Sequence, residues 1–124
     1  QDKGFAPIPF SAHKYLRKIV EHMLLSGDIS TEDVFVLYGT ESSGLYLSEV
    51  LESLGCTIYA YIDSSESKQG TEFRGKMIYS ANKIYEVKKH YTKILIASSA
   101  QEEIRNTLVQ EGFKEETDFY RLPI

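Results

Sequence analysis

The chain has 124 residues, 42% hydrophobic and 26% charged, with a formal net charge of -4. That length supplies one hydrophobic core and not two, and the composition is that of a globular rather than a disordered chain. A weakly acidic balance without a Lys/Arg run leaves no footprint for nucleic acid and argues against an anionic membrane surface.

Cys56 is the single cysteine, so no internal disulfide is expected. No apolar run has the length of a membrane span, so no membrane insertion is expected. The start, QDKGFAPIPF, lacks the charged-then-apolar layout of a secretory signal. These features predict a cytoplasmic protein. Gln1 in place of an initial Met carries the expectation of a processed or excised piece of something longer.

Taken in order, Gln1–Phe10 contains Pro7 and Pro9 and reads as an extended arm. Ser11 is a candidate N-cap for a helix. Tyr15, Leu16, Ile19, Val20, Met23 and Leu24 give that helix one apolar stripe, and Gly27 is placed to end it. DISTED, Asp28–Asp33, reads as a loop. VFVLY, Val34–Tyr38, is apolar without interruption and rich in β-formers. Such a run predicts a strand covered on both faces, as in a parallel sheet. Leu47, Val50, Leu51 and Leu54, closed by Gly55, form the next helical stripe.

TIYAYI, Thr57–Ile62, is a second strand ending at Asp63. SSESKQGTEFRG reads as a polar loop, and KMIYS, Lys76–Ser80, as a short third strand. Ile84, Val87 and Tyr91 form a helix stripe behind a Ser80 cap. KILIA, Lys93–Ala97, is another fully apolar strand. A helix with Ile104, Leu108 and Val109 follows, ended by Gly112. DFYRLPI is a last, edge strand, with Pro123 suited to such a place.

Strand and helix thus alternate after an extra N-terminal helix. This predicts an α/β fold with a doubly wound parallel sheet of about five strands and helices on both faces. The expected division is an arm and helix over residues 1–33 and an α/β domain over 34–124, in one compact whole. In such sheets ligands sit beyond the carboxyl ends of the strands at the switch in strand order. That point is expected between VFVLY and KILIA, with the loops Gly39–Gly44 and Ala97–Ala100 facing each other.

The candidate site follows from that placement. Gly39, Thr40, Glu41, Ser42, Ser43 and Gly44 form a strand-to-helix turn that exposes free N–H groups to an anion. Gly39 and Gly44 occupy the first and third positions of G-x-G-x-x-G, but Glu41 stands where the middle glycine would be. The glycines then serve either a phosphate or only close helix–strand packing. The Glu41 carboxylate is expected to meet the N–H groups of its own helix. Asp63 suits a ribose-binding acid, which a dinucleotide fingerprint places about 20 residues after the first glycine, or a turn acid in DSSES. Ser98 and Ser99 line the crevice or, the commoner role, cap the next helix.

Lys68 and Arg74 are within reach of a phosphate, although solvated side chains are the commoner outcome. His13, His22 and His90 are not spaced as a metal pair, and no metal site is expected. Cys56 is expected to pack in the interior. YEVKK places Tyr85 and Lys89 at the Tyr-x-x-x-Lys spacing of a reductase, but in an amphipathic helix where Tyr85 packs or is solvated. No catalytic residue is assigned.

VFVLYGTESSGLYLSEVLESLG, then IYAYIDSSESKQGTEFRGKMIYS, then KILIASSAQEEIRNTLVQEGFKEETDFYRL, in that order, resembles the small Rossmann-like nucleotide-binding domains of bacterial polysaccharide biosynthesis. Those domains stand at the N-terminus of sugar acetyltransferases and of membrane-linked nucleotide-sugar dehydratases, and are appended to some glycosyltransferases. The resemblance runs from about Val34 to Leu122 and leaves the N-terminal helix outside. It implies a three-layer Rossmann-like fold. It also implies a nucleotide or nucleotide-sugar site, with NAD(P) or a nucleotide-sugar as candidate ligand, at Gly39, Gly44, Asp63, Ser98 and Ser99. A chain this short lacks a substrate domain, which favours a binding domain attached to a larger protein or a homo-oligomer. The alternatives are a fragment of an NAD(P)-dependent nucleotide-sugar reductase or epimerase, and a degenerate Rossmann domain serving protein interaction or dimerisation.

Overall fold

The computed structural model describes residues 11–122. The expected arm Gln1–Phe10 and Pro123 lie outside them. Helix α1 (Ala12–Ser26) begins at Ser11, whose hydroxyl accepts from the Lys14 N–H, and ends at Gly27 in the left-handed conformation. Strand β1 (Val34–Tyr38), helix α2 (Ser42–Ser53) and strand β2 (Thr57–Ile62) follow. Then come β3 (Glu72–Phe73), β4 (Lys76–Tyr79), α3 (Ala81–Glu86), a 3₁₀ turn (Lys88–His90), β5 (Lys93–Ile96), α4 (Gln101–Gln110) and β6 (Phe119–Arg121).

The six strands lie in the order β3-β4-β2-β1-β5-β6, parallel except for β3. The order reverses between β1 and β5, as expected. Alternate residues of each central strand serve opposite faces, which is why their sequences are apolar throughout. Phe35 and Leu37 of β1 pack with Leu16 and Val20 of α1 and with Leu47, Val50 and Leu51 of α2. Val36 and Tyr38 pack on the other side with Ile84 of α3 and with Ile104 and Leu108 of α4. The result is helix, sheet and helix in three layers.

Several expectations need correction. The sheet, expected to hold about five strands, holds six. The extra strand, β3, lies in the segment that reads as a polar loop. It pairs antiparallel with β4 through Glu72↔Met77 and Phe73↔Lys76. The connecting pair, Arg74 and Gly75, has positive φ at both positions, 54° and 79°. That is the pattern of a two-residue hairpin turn, and an arginine in its first place conceals it. The helical stripe Ile84–Val87–Tyr91 is also broken. The helix stops at Glu86, and Tyr91 is extended, with its hydroxyl donating to the Ile84 carbonyl.

Val109 faces solvent on α4, whereas Ile29, in the expected loop, is fully buried. Cys56 is buried as expected, and its thiol is pushed up by burial and then by the charge of Asp33. In β2 the pairing with β1 skips Tyr59: Phe35 meets Ile58, and Val36 meets Ala60. Tyr59 is a bulge residue. It packs against the α3–α4 layer and stacks on His90 at 5.3 Å between ring centroids. Among the described residues no helix is long and apolar enough to cross a membrane.

Candidate functional site

The carboxyl ends of β1, β2 and β5 finish side by side. Gly39 N–H donates to the Ile62 carbonyl at 2.8 Å, and Ala97 N–H to the Tyr38 carbonyl at 2.9 Å. The three loops that follow therefore start from one level. Between them lies a cleft of about 330 Å³. Gly39, Thr40, Glu41, Ser42 and Ser43 form one wall, Ser98 and Ser99 the other, and Asp63 stands between. The two facing loops are brought together as expected. Gly44 is not in the lining; it is buried in the first turn of α2, against Gly39.

The glycines have a steric reason. A Cβ at Gly44 would stand 2.2 Å from the Gly39 carbonyl oxygen, and one at Gly39 would stand 2.4 Å from the Ala97 carbonyl oxygen. Gly39 also has φ +132°, which side-chain-bearing residues rarely adopt. Close helix–strand packing thus requires both positions, whatever else the loop does.

Glu41 departs from expectation. It is the N-cap residue of α2, yet its side chain makes no capping bond. The carboxylate is 86% exposed and lies 3.5 Å from Lys68 Nζ. It does not turn back to the helix N–H groups, although its backbone is extended like that of the capping residues Ser11 and Ser80. The first helical bond of α2 is Leu45 N–H to the Glu41 carbonyl, so the N–H groups of Ser42, Ser43 and Gly44 have no intrahelical acceptor.

α4 differs at its own start. Its N-cap is Ala100, without a side-chain cap, so Ser98 and Ser99 do not cap it. The Ser98 hydroxyl instead accepts from the Ala100 N–H at 3.2 Å. Glu102 and Glu103 in the first turn of α4 already offset its dipole. Of the two helix starts at the cleft, that of α2 has the unanswered positive end.

Asp63 is held from several sides. Its carboxylate accepts from the Thr40 hydroxyl at 2.7 Å and from the Ser65 N–H at 2.9 Å, and Lys68 Nζ lies 3.8 Å away. The side chain is 15% exposed. Burial acts to raise its pKa, but the Ser65 N–H, the Thr40 hydroxyl and the Lys68 charge together outweigh it and leave the carboxyl below its usual range. Thr40 links cation and acid: its hydroxyl accepts from Lys68 Nζ at 3.3 Å and donates to Asp63.

Lys68 is thus not a solvated side chain, as sequence reasoning expected, but part of the cleft's charge arrangement. Arg74 is elsewhere. It forms a two-pronged pair with Glu52, at 2.8 and 3.2 Å, and donates to the Tyr61 hydroxyl at 3.3 Å.

Sequence reasoning missed Tyr38 and Ser64, whose hydroxyls are 2.9 Å apart in the cleft, and Glu103 on the far wall. Burial raises the Tyr38 hydroxyl, the Ser64 bond opposes this, and the charges of Asp63 and Glu103 add to the rise. Tyr38 therefore stays protonated and offers a hydrogen bond rather than a base. The only available signal was position: Tyr38 ends β1, Ser64 follows β2, and Glu103 lies in the first turn of the helix after β5.

Tyr85 lies away from the cleft, beside Tyr91, Thr92 and Gly112, just before β5 begins. Its hydroxyl accepts from Lys88 rather than Lys89. His13 pairs with Glu49 at 2.6 Å between α1 and α2. Among the described residues no group of three His, Cys, Asp or Glu side chains is placed to hold a metal.

Solved structures share this architecture. UDP-D-quinovosamine 4-dehydrogenase from Vibrio fischeri is 24% identical, with a TM-score of 0.57 over 73% of this chain and 78% of that one. RSP in complex with β-NADH is 11% identical, with a TM-score of 0.53 over 91% and 76%. A structure of RSP described as a Rex-family repressor is 12% identical, with a TM-score of 0.56 over 98% and 58%. These likenesses establish a Rossmann-like fold. No curated protein matches the chain. The family model described as C2185-like, N-terminal matches residues 31–117, most of the chain, and the chain belongs to that family.

Proposed function

We propose that the chain is a nucleotide- or nucleotide-sugar-binding domain with no catalytic apparatus of its own, serving a protein of polysaccharide or surface-glycan biosynthesis in the cytoplasm. The observation that carries the reading is the cleft at the switch point. It joins the uncapped start of α2, the Asp63 carboxylate and the hydroxyls of Ser42, Ser43, Ser98 and Ser99. N–H groups and a helix dipole suit phosphate, and an ionised acid at the end of the second parallel strand suits a ribose diol. Two neighbours of the same fold agree with it, one named for a UDP-sugar and one solved with NADH. The domain would act as an attached part of a larger protein or as a homo-oligomer.

The reductase reading has less support, because Tyr85 lies outside the cleft. A thermal-shift and calorimetric panel of NAD(H), NADP(H), CoA, UDP, CMP and UDP-sugars tests the proposal. Stabilisation by at least one nucleotide is expected; none at millimolar concentration overturns it.

A further inference from the structure

Glu41 poses a physical problem for the nucleotide reading, because a carboxylate beside the loop repels a phosphate. Lys68 bears on that problem. Its ammonium stands 3.3 Å from Thr40 Oγ1, 3.5 Å from Glu41 Oε2 and 3.8 Å from Asp63 Oδ2. Close charge-assisted bonds run at about 2.7–2.9 Å, so this cation is shared among three oxygens rather than locked to one.

Its backbone, by contrast, is fixed. Lys68 N–H donates to the Ser65 carbonyl at 3.0 Å, and the Thr71 N–H donates to the Lys68 carbonyl at 3.1 Å. Gln69 Nε2 donates to the Asp63 carbonyl at 2.9 Å, and Gly70 N–H to the Ile78 carbonyl at 2.9 Å. An anchored turn thus carries a flexible four-carbon stem whose charge can move. The Glu41 carboxylate, exposed and bonded to no helix N–H, is held by nothing that prevents it from turning into water. Asp63 differs, being tied to Thr40 and Ser65.

Resting on the nucleotide reading, we propose that Lys68 is the counter-charge for the diphosphate of the ligand, and that Glu41 competes with the ligand for it. Without ligand, Glu41 holds the ammonium at the edge of the cleft, against Thr40 and Asp63 of its lining. A diphosphate, with more negative charge than one carboxylate, draws Lys68 away, and Glu41 swings out. The acid at the middle-glycine position is then a displaceable stand-in for phosphate rather than a permanent barrier. The site selects molecules with a diphosphate, because an uncharged nucleoside gives Lys68 no reason to leave Glu41.

The test uses calorimetry with NADH and UDP-N-acetylglucosamine against the native chain, Glu41→Gln and Lys68→Gln. Adenosine and uridine serve as phosphate-free controls, and thermal melts confirm that both surface variants are folded. Glu41→Gln is expected to tighten diphosphate binding several-fold. Lys68→Gln is expected to weaken it about tenfold, the size of one charged hydrogen bond, and to flatten its salt dependence. Nucleoside binding is expected to stay the same in both. If the native chain binds either diphosphate but Glu41→Gln weakens it, or Lys68→Gln leaves it unchanged, the inference falls and the nucleotide reading stands. If neither the native chain nor Glu41→Gln binds either compound, the inference falls, and the nucleotide reading falls with it when the rest of the nucleotide panel also fails to bind.

Discussion

The Cα of Gly44 packs against the carbonyl of Gly39 so closely that a methyl group at position 44 would stand 2.2 Å from its oxygen. The obstacle is backbone, not the yielding end of a side chain. Gly44→Ala must therefore push α2 away from β1 or distort the loop. The expected cost is about 1–3 kcal/mol, as for other overpacked sites, seen as a lower midpoint in urea. An unchanged midpoint would mean that the first turn of α2 has slack that the geometry denies.

Asp63 makes stability depend on acidity. Its carboxyl lies below its ordinary 3.8 in the folded chain, so the folded state takes up that proton less readily than the unfolded one. The resulting stability is fully present above 3.8 and is lost as pH falls through the lower folded value. Asp63→Asn removes the effect. The variant should melt earlier at neutral pH and lose less on acidification, in melts between about pH 2 and pH 6. An acid limb as steep as that of the native chain would contradict this.

A polar chain runs through the packing between α2 and the sheet. Ser48 donates to the Gly44 carbonyl at 2.6 Å, so its hydroxyl is left to accept from Tyr61 at 2.7 Å. Tyr61 in turn accepts from Arg74 at 3.3 Å. Tyr61→Phe cuts this chain in the middle without changing its shape. The expected loss is about 1 kcal/mol, and a double-mutant cycle with Ser48→Ala should reveal coupling. Strict additivity of the two changes would show that the hydroxyls act independently.

Much of the fold is written locally. VFVLY, TIYAYI and KILI are buried on both faces, and that condition leaves an uninterrupted apolar run in the sequence. Glu72 and Phe73 leave no such mark, since two residues cannot display alternation and their turn uses Arg74. The convergence of Gly39–Ser43, Asp63 and Ser98–Ser99 was legible because parallel topology alone brings those ends together. The directions of Glu41 and Lys68 were not. They depend on how the β2–β3 loop folds back, which is decided by bonds such as Gln69 to Asp63 and Gly70 to Ile78 that link distant positions.

Tyr59 is the one residue of β2 that β1 does not count. The partners on either side, Phe35 with Ile58 and Val36 with Ala60, keep their alternation across it. A β2 shorter by Tyr59 would still bring Ile62 opposite Tyr38 and Asp63 beside Thr40. Losing Tyr61 instead would keep Asp63 beside Thr40 only if Tyr59 and Ala60 took up the pairing with Val36 and Leu37, which turns Ala60 to the opposite face. The strand thus tolerates the loss of Tyr59, upstream of the cleft, without retuning the site.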